Sequence, residues 1–383
     1  MTDSPAEPAD NPKVTIDWYR STPWWRLASQ SVVISWRASH LIMCAAALLI
    51  TQLWVSLSHY LFTPESSAST VWIAPGGGTN PIAPQWSSDM PDSVLSVWQH
   101  YLSPVLEWLQ APTLNGAADC LASMIGIIAI WSFVGGCLAR RSVVELGTRM
   151  TAPWAETFRI VRRRWQSIAW SVAMPSGLIL MIAVGPLMLG WVSNIPAIGL
   201  WIAGLLMIPT LFLSVGIGWC GAITVFGFPL SVCSIVTEKQ ADAYDGISRS
   251  AAYTFQRPLT LALCVVALQG LGLAGGCIVS LVLTTGYAVI EAGFNVGSFS
   301  SLEQIETIWS PILKGILPLL IAAFGFSFFW TAASATYLIL RKDVDHAEFD
   351  VIDMDVPEEP KALPELPKKE SNIPAELTEN SAE

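Results

Sequence analysis

Six apolar runs, near residues 39–62, 117–138, 167–191, 197–229, 259–290 and 311–340, constrain this chain more than any other feature. Each is long enough to cross a hydrocarbon layer about 30 Å thick, which takes roughly 20 apolar residues in a helix. Where water is absent every backbone amide must be satisfied within the segment, so runs of this kind fold as helices. The composition agrees: 52% of the 383 residues are hydrophobic, 13% are charged and the mean hydropathy is +0.50, too apolar for a water-soluble globule. The expected fold class is an all-α membrane protein with six transmembrane helices in 17–342. A disordered N-terminal tail at 1–16 and an acidic, disordered cytoplasmic tail at 343–383 flank it. The longest runs should tilt or project beyond the bilayer, with Pro175, Pro186 and Pro209 as expected kink sites.

Basic residues orient the spans, because short loops rich in Lys and Arg stay in the cytoplasm. With the N-terminus inside, all of the 20 Lys and Arg except Lys314 fall on the cytoplasmic side. Residues 63–116, the large outer loop, contain neither Lys nor Arg. The expected arrangement is therefore a multi-pass membrane protein with both termini cytoplasmic. The first apolar run follows 38 residues of mixed charge with no small-residue cleavage site after it, so it should remain as an anchor rather than be removed as a signal. The tail from Asp343 onward holds 13 carboxylates against 3 lysines, matching the whole formal charge of −10. Within it "EFDVIDMDV" alternates apolar residues, and Phe349, Val351, Met354 and Val356 suit either a docking strand or a transient extended segment.

Between the fourth and fifth runs lies "DAYDGISRSAAYTFQRP", Asp242 to Pro258. Thr237, Glu238, Lys239 and Gln240 fit a capping box, which predicts a helix starting there. Tyr244, Ile247, Ala251 and Phe255 share one helical face, and Asp245 precedes Arg249 by four residues, the favourable order for an ion pair. The result is an amphipathic interfacial helix at the inner membrane surface. The same element occurs three times, with aromatics eleven residues apart: Trp25 and Trp36, Trp154 and Trp165, Tyr244 and Phe255. Three copies of surface helix plus transmembrane hairpin account for all six spans. In the outer loop, "DSVLSVWQHYLSPVLEWLQ" carries Val94, Leu95, Trp98, Tyr101, Leu102, Val105, Leu106 and Leu109 at helical intervals. It should form an amphipathic lid over the outer end of the bundle, bent near Pro104.

The stretches "TPWWRLASQSVVISWRASHLIMCAAALL" and "IVTEKQADAYDGISRSAAYTFQRP", with a last span ending in "YLILRKDVD", resemble a loose group of uncharacterised bacterial multi-spanning inner-membrane proteins. That resemblance covers most of the membrane part. The inner-loop pattern, with its acidic residues, Ser-Arg-Ser and an aromatic before the next span, is also similar to the membrane domain attached to some glycerophosphodiester phosphodiesterases. No phosphodiesterase catalytic domain accompanies it. The resemblance implies a multi-spanning helical fold and no particular activity.

Catalytic patterns are sparse. The four histidines, His40, His59, His100 and His346, lie in four separate segments without metal-ligand spacing, so neither metal nor cofactor is expected. "APGGGTNP", Ala74 to Pro81, lacks the Gly-Lys-Ser/Thr ending of a phosphate loop and leads into a proline; it reads as an outer turn. The seven cysteines lie in spans or just inside them, where they act as small packing residues and form no disulfide framework. Ion-coupled carriers place ionisable groups near mid-membrane, whereas Asp119 and Glu291 fall at outer span ends. A polar path would have to use Ser171, Ser176, Thr210, Ser214, Thr284, Thr285, Ser327 and Thr331, and such hydroxyls also bond to their own helix backbone. Gly272 with Gly276 and Ser132 with Gly136 allow close helix approach, within the bundle or at a homo-oligomer face.

These features describe a non-enzymatic integral membrane scaffold or interaction protein presenting cytoplasmic surface helices. The alternative is a permease or lipid-handling transporter. Expected partners are membrane lipids and a protein docking at the cytoplasmic helices or acidic tail, with no nucleic acid. The candidate lipid or partner contacts are Asp245, Arg249, Ser250, Gln256 and Arg257, with Arg162, Arg163 and Arg164 as a second basic patch suited to phosphate oxygens.

Overall fold

A computed structural model describes residues 23–63, 94–196, 198–238, 241–297 and 302–352. The described residues form nine helices and no strand. In chain order they are α1 (Pro23–Ser35), α2 (Ala38–Phe62), α3 (Val94–Gln110), α4 (Leu114–Thr148), α5 (Trp154–Ser193), α6 (Gly199–Thr237), α7 (Ala243–Gln256), α8 (Pro258–Gly297) and α9 (Leu302–Asp345). Six of them, α2, α4, α5, α6, α8 and α9, are long and apolar enough to cross a membrane. The tail expected at 1–16 lies outside the described residues, as do 353–383 of the tail expected at 343–383; the start of that second tail is ordered instead, with Asp343 to Asp345 closing α9 and Ile352 buried.

Several spans overrun the bilayer, as their apolar length foretells. The 40 residues of α5 make a rod about 60 Å long at 1.5 Å per residue. The helix continues through Pro175 and Pro186 in α5 and through Pro209 and Pro229 in α6. Neighbouring turns and packed helices can compensate for the amide each proline lacks.

The bundle is organised around α4 and α9, with α9 touching α1, α2, α3, α4, α6, α7 and α8. Trp330 of α9 is fully buried against Gly135 of α4, where a Cβ would collide with the indole ring. The absence of that one side chain sets how closely the two helices approach. A second apolar cluster joins Ala28 of α1, Leu268 and Val279 of α8, and Phe324, Phe328 and Ala332 of α9.

The surface-helix repeat is kept in two of its three copies. Between α1 and α2 the chain turns at Trp36 and Arg37, and between α7 and α8 it breaks at Arg257 before Pro258. In the second copy Trp154 and Trp165 belong to the unbroken helix α5. Nothing between Trp165 and Ile168 stops a helix, so the surface segment and the span fuse.

The outer-loop helix departs from the expected lid. α3 is continuous through Pro104 and its first turns penetrate the bundle instead of covering its end. Trp98 lies 5.7 Å from Phe329 and 6.5 Å from Phe228, and Tyr101 lies 5.4 Å from Trp131, ring centroid to centroid. Trp131 and Phe326 stack at 4.5 Å beneath them. Val97, Tyr101 and Pro104 form the buried stripe, while Leu106 and Leu109 face away. Aromatic faces and edges attract one another at these separations, which gives the apolar stripe a better partner than the membrane surface.

Candidate functional site

Two polar centres stand out, one at each end of the bundle. At the arginine-rich end, α6 stops at Thr237 and its last carbonyls need donors. Arg140 Nη1 donates to Val236 O at 2.8 Å, and Arg164 Nη1 donates to Ile235 O at 2.5 Å and also to Glu238 O. Cations at a helix C-terminus satisfy both the orphan carbonyls and the negative end of the helix dipole. Arg140, 1% exposed, also lies 3.8 Å from Glu156.

Glu238 is the hub of this end. Its carboxylate accepts from Arg249 Nη1 at 2.5 Å and faces the Tyr337 hydroxyl at 3.5 Å. Burial pushes the Glu238 carboxyl above the usual range, against the pull of Arg249 and Arg341. Tyr253 of α7 donates to Asp345 at the end of α9; burial and that carboxylate together push its phenol well above the usual value. α6, α7 and α9 are thereby tied through side chains as well as through packing.

The predicted helix start and ion pair are both corrected here. The capping box at Thr237 does not operate, because Thr237 is the last residue of α6 and its hydroxyl donates back to Cys233 O. Asp242 is the cap instead, accepting from Asp245 N at 2.8 Å. Arg249 pairs with Glu238 rather than with Asp245, since a half-buried carboxylate in the preceding turn is a stronger partner than an exposed one on the same helix. The buried face of α7 is Ala243, Gly246, Ser250, Tyr253 and Thr254; a Cβ at Gly246 would sit 2.7 Å from Ile235. Tyr244 is 72% exposed, and Phe255 stacks on Trp219 with centroids 4.6 Å apart.

The other candidate contacts separate rather than converge. Ser250 is buried and donates to Ile247 O. Arg257 faces Asp343 at 3.7 Å. Asp245, Gln256, Arg162 and Arg163 are exposed. Arg164 and Arg249 meet at Glu238, one on its carbonyl and one on its carboxylate, and both are engaged by the protein itself. Beside them the start of the acidic tail folds back: Arg341 Nη1 donates to Val351 O at 2.7 Å, Lys342 lies 4.5 Å from the Phe349 ring centroid, and Ile352 is buried against Gly147. Met354 and Val356, the rest of the alternating segment, lie outside the described residues.

At the opposite end a cavity of about 740 Å³ is lined by residues including His59, Glu107, Trp108 and Asp119. Asp119 is 6% exposed; its Oδ1 accepts from Ser58 Oγ at 2.5 Å and its Oδ2 lies 2.5 Å from His59 Nδ1. Glu107 is close enough to interact electrostatically with both His59 and Asp119. Serine, aspartate and histidine here do not form a nucleophilic relay. Ser58 Oγ donates its hydrogen bond to Asp119 Oδ1 and His59 meets the other oxygen, so the imidazole does not face the hydroxyl. Sequence reasoning misses this pair, although His59 and Asp119 fall at adjoining ends of consecutive apolar runs and so at one depth.

Among the described residues no group of three or more His, Cys, Asp or Glu side chains is placed to hold a metal ion. Several hydroxyls of the conceivable polar path are bonded to helix backbone: Ser171 to Ile168 O, Thr210 to Met207 O, Ser214 to Leu211 O and Thr284 to Ser280 O. Ser327 reaches Ser35 O at 3.0 Å and Thr331 reaches Phe328 O at 2.9 Å. Comparison with protein-family models, curated proteins and solved structures finds no match to this chain.

Proposed function

We propose that the chain is a non-enzymatic integral membrane scaffold of a bacterial inner membrane. Its arginine-rich end and both termini face the cytoplasm, and it presents α7, the first turns of α5 and the acidic tail to partners. The observation that carries this reading is the aromatic packing in the interior. Trp98, Tyr101, Trp131, Phe228, Phe326, Phe329 and Trp330 occupy the space between the outer cavity and the arginine-rich end. A carrier needs a polar route at that depth, and the hydroxyls that could line one are largely committed to backbone carbonyls. Orientation rests on the positive-inside rule.

Reconstitution tests the reading directly. Proteoliposomes bearing the full chain should show no more counterflow of amino acids, sugars or inorganic ions than protein-free vesicles. In cells, a photo-crosslinker at Tyr244 or Arg163 should give a discrete protein adduct that one at Leu205 does not. Saturable solute flux, together with no adduct from the inner face, would replace the scaffold with a permease. For orientation, a reporter fused after Gly77 should be exported and one fused at Glu383 should stay in the cytoplasm; export of the latter rejects the six-span arrangement.

A further inference from the structure

The first turn of α2 is an uncapped helix N-terminus. Arg37 occupies the cap position in extended backbone conformation and supplies no side-chain cap. The carbonyl of Arg37 accepts from His40 N at 2.9 Å and Leu41 N at 3.0 Å, while the amides of Ala38 and Ser39 precede the first intrahelical bond. Ala38 is exposed and Ser39 half-buried, and this first turn carries the positive end of the helix dipole.

An independent observation falls on the same spot. Arg141 of α4 is only 7% exposed, and its Nε and Nη1 have no hydrogen-bond partner. Its guanidinium is held 4.2 Å from the centroid of Trp154. It lies near enough to both Arg37 and His40 to interact with them electrostatically. His40 is itself 0% exposed with neither ring nitrogen hydrogen-bonded. Against these donors stands one carboxylate, Glu145, which contacts Arg37 through Oε1 and leaves Oε2 without a partner. A buried guanidinium with unmet N–H groups is costly, and two arginines facing one carboxylate leave net positive charge.

We propose that the α2 N-terminus, Arg37, His40 and Arg141 form a binding site for a phosphate oxyanion, from a phospholipid headgroup at this end of the bundle or from free phosphate. The phosphate oxygens accept from the Ala38 and Ser39 amides and from the half-exposed Arg37 guanidinium, while the enclosed Arg141 guanidinium adds its unneutralised charge from behind. Trp154 holds the Arg141 plane in position by cation–π contact. Glu145 opposes the anion and limits its affinity. This site is separate from Arg162, Arg163, Arg249 and Arg257, which are exposed or face carboxylates.

The test uses the purified full chain in detergent, titrated by native mass spectrometry with phosphatidylglycerol and, separately, by calorimetry with inorganic phosphate. Arg37→Gln, through a lost contact, and Arg141→Gln, through a lost positive charge behind the site, should each weaken binding about ten-fold. Glu145→Gln should tighten it, and Arg162→Gln with Arg163→Gln should leave it unchanged. Retention of phosphatidylglycerol without phosphate binding identifies the lipid as the source; phosphate binding without lipid preference identifies the free anion. Should Arg141→Gln fail to fold, the opposite shifts expected for Arg37→Gln and Glu145→Gln decide the question. Wild-type affinity for both probes in folded Arg37→Gln, or weaker binding in Glu145→Gln, overturns the proposal: Arg141 and Glu145 would then serve as an internal pair.

Discussion

Helices α4 and α9 differ from α5 and α6 in almost nothing that hydropathy can see. The best apolar windows of α4 and α9 have mean hydropathies of 2.0 and 1.9, and those of α5 and α6 both have 2.1. Yet 56% and 61% of the first pair's windows are buried in the protein, against 6% and 0% for the second. In a membrane, lipid tails and leucine side chains are equally apolar, so a greasy residue gains little by turning inward. What separates the pairs is side-chain shape and hydrogen bonding. Between α4 and α9 the Trp330 ring seats on Gly135, Trp131 stacks on Phe326, and Ser334 Oγ donates to Ala139 O at 3.4 Å. The outer parts of α5 and α6 are dominated by Leu, Ile and Met, with glycines such as Gly204 that meet nothing within 4 Å.

The largest test of this contrast is Trp330→Ala, which should cost about 3–5 kcal/mol by emptying a fully buried site. Leu205→Ala, at a residue 72% exposed, should stay within about 0.5 kcal/mol. Unfolding of the purified protein in mixed detergent would measure both, and equal losses would erase the distinction. Next in size, Arg140→Gln removes a buried charged donor from a helix-terminal carbonyl and should cost about 1.5–3 kcal/mol, whereas Arg163→Gln at an exposed position should be silent in the same assay.

Gly135→Ala should then destabilise by about 1–3 kcal/mol, because its Cβ meets the Trp330 ring and forces repacking. Gly204→Ala should be neutral or stabilise by up to about 1 kcal/mol, since alanine is the better helix former where space is open. Thermal melts that place the two variants on the same side of wild type would contradict that. The smallest effects belong to α7. Asp242→Ala should cost about 0.5–2 kcal/mol through loss of the cap, while Asp245→Ala, which breaks no ion pair, should change the melt by less than about 0.5 kcal/mol.

Much of the architecture was legible because apolar length and charge placement each report one physical constraint. The six spans follow from the hydrocarbon thickness; five of the predicted spans lie within longer helices, and the fourth, expected at 197–229, begins two residues before α6. Depth and partner choice were less legible. The apolar stripe of α3 announces a face to bury but not what buries it, and Tyr101 finds Trp131 and Phe326 rather than the bilayer surface. Thr237 and Asp242 are both good caps five residues apart; α6 runs on to Thr237 and leaves the role to Asp242. Helical spacing nominates Asp245 for Arg249, and no local rule points to Glu238, which lies in the turn before the helix. Arg141 is legible only as a basic residue near a span end. Its burial beside the first turn of α2 depends on how α2 and α4 pack.

The chain order of the packing sets a timetable for assembly. The helix that holds the centre, α9, is the last of the described helices to be synthesised, and its Ser327 hydroxyl closes onto Ser35 across 292 residues. At about 5–20 residues per second, on the order of 10–40 s separate completion of α4 from completion of α9. During that interval Trp131 lacks its stacking partner Phe326 and Gly135 lacks the Trp330 ring, and Arg140 must wait first for the end of α6. A ribosome stalled or a gene cut before α9 would thus leave five spans inserted around a missing axle, a substrate for membrane proteolysis rather than a smaller version of the bundle.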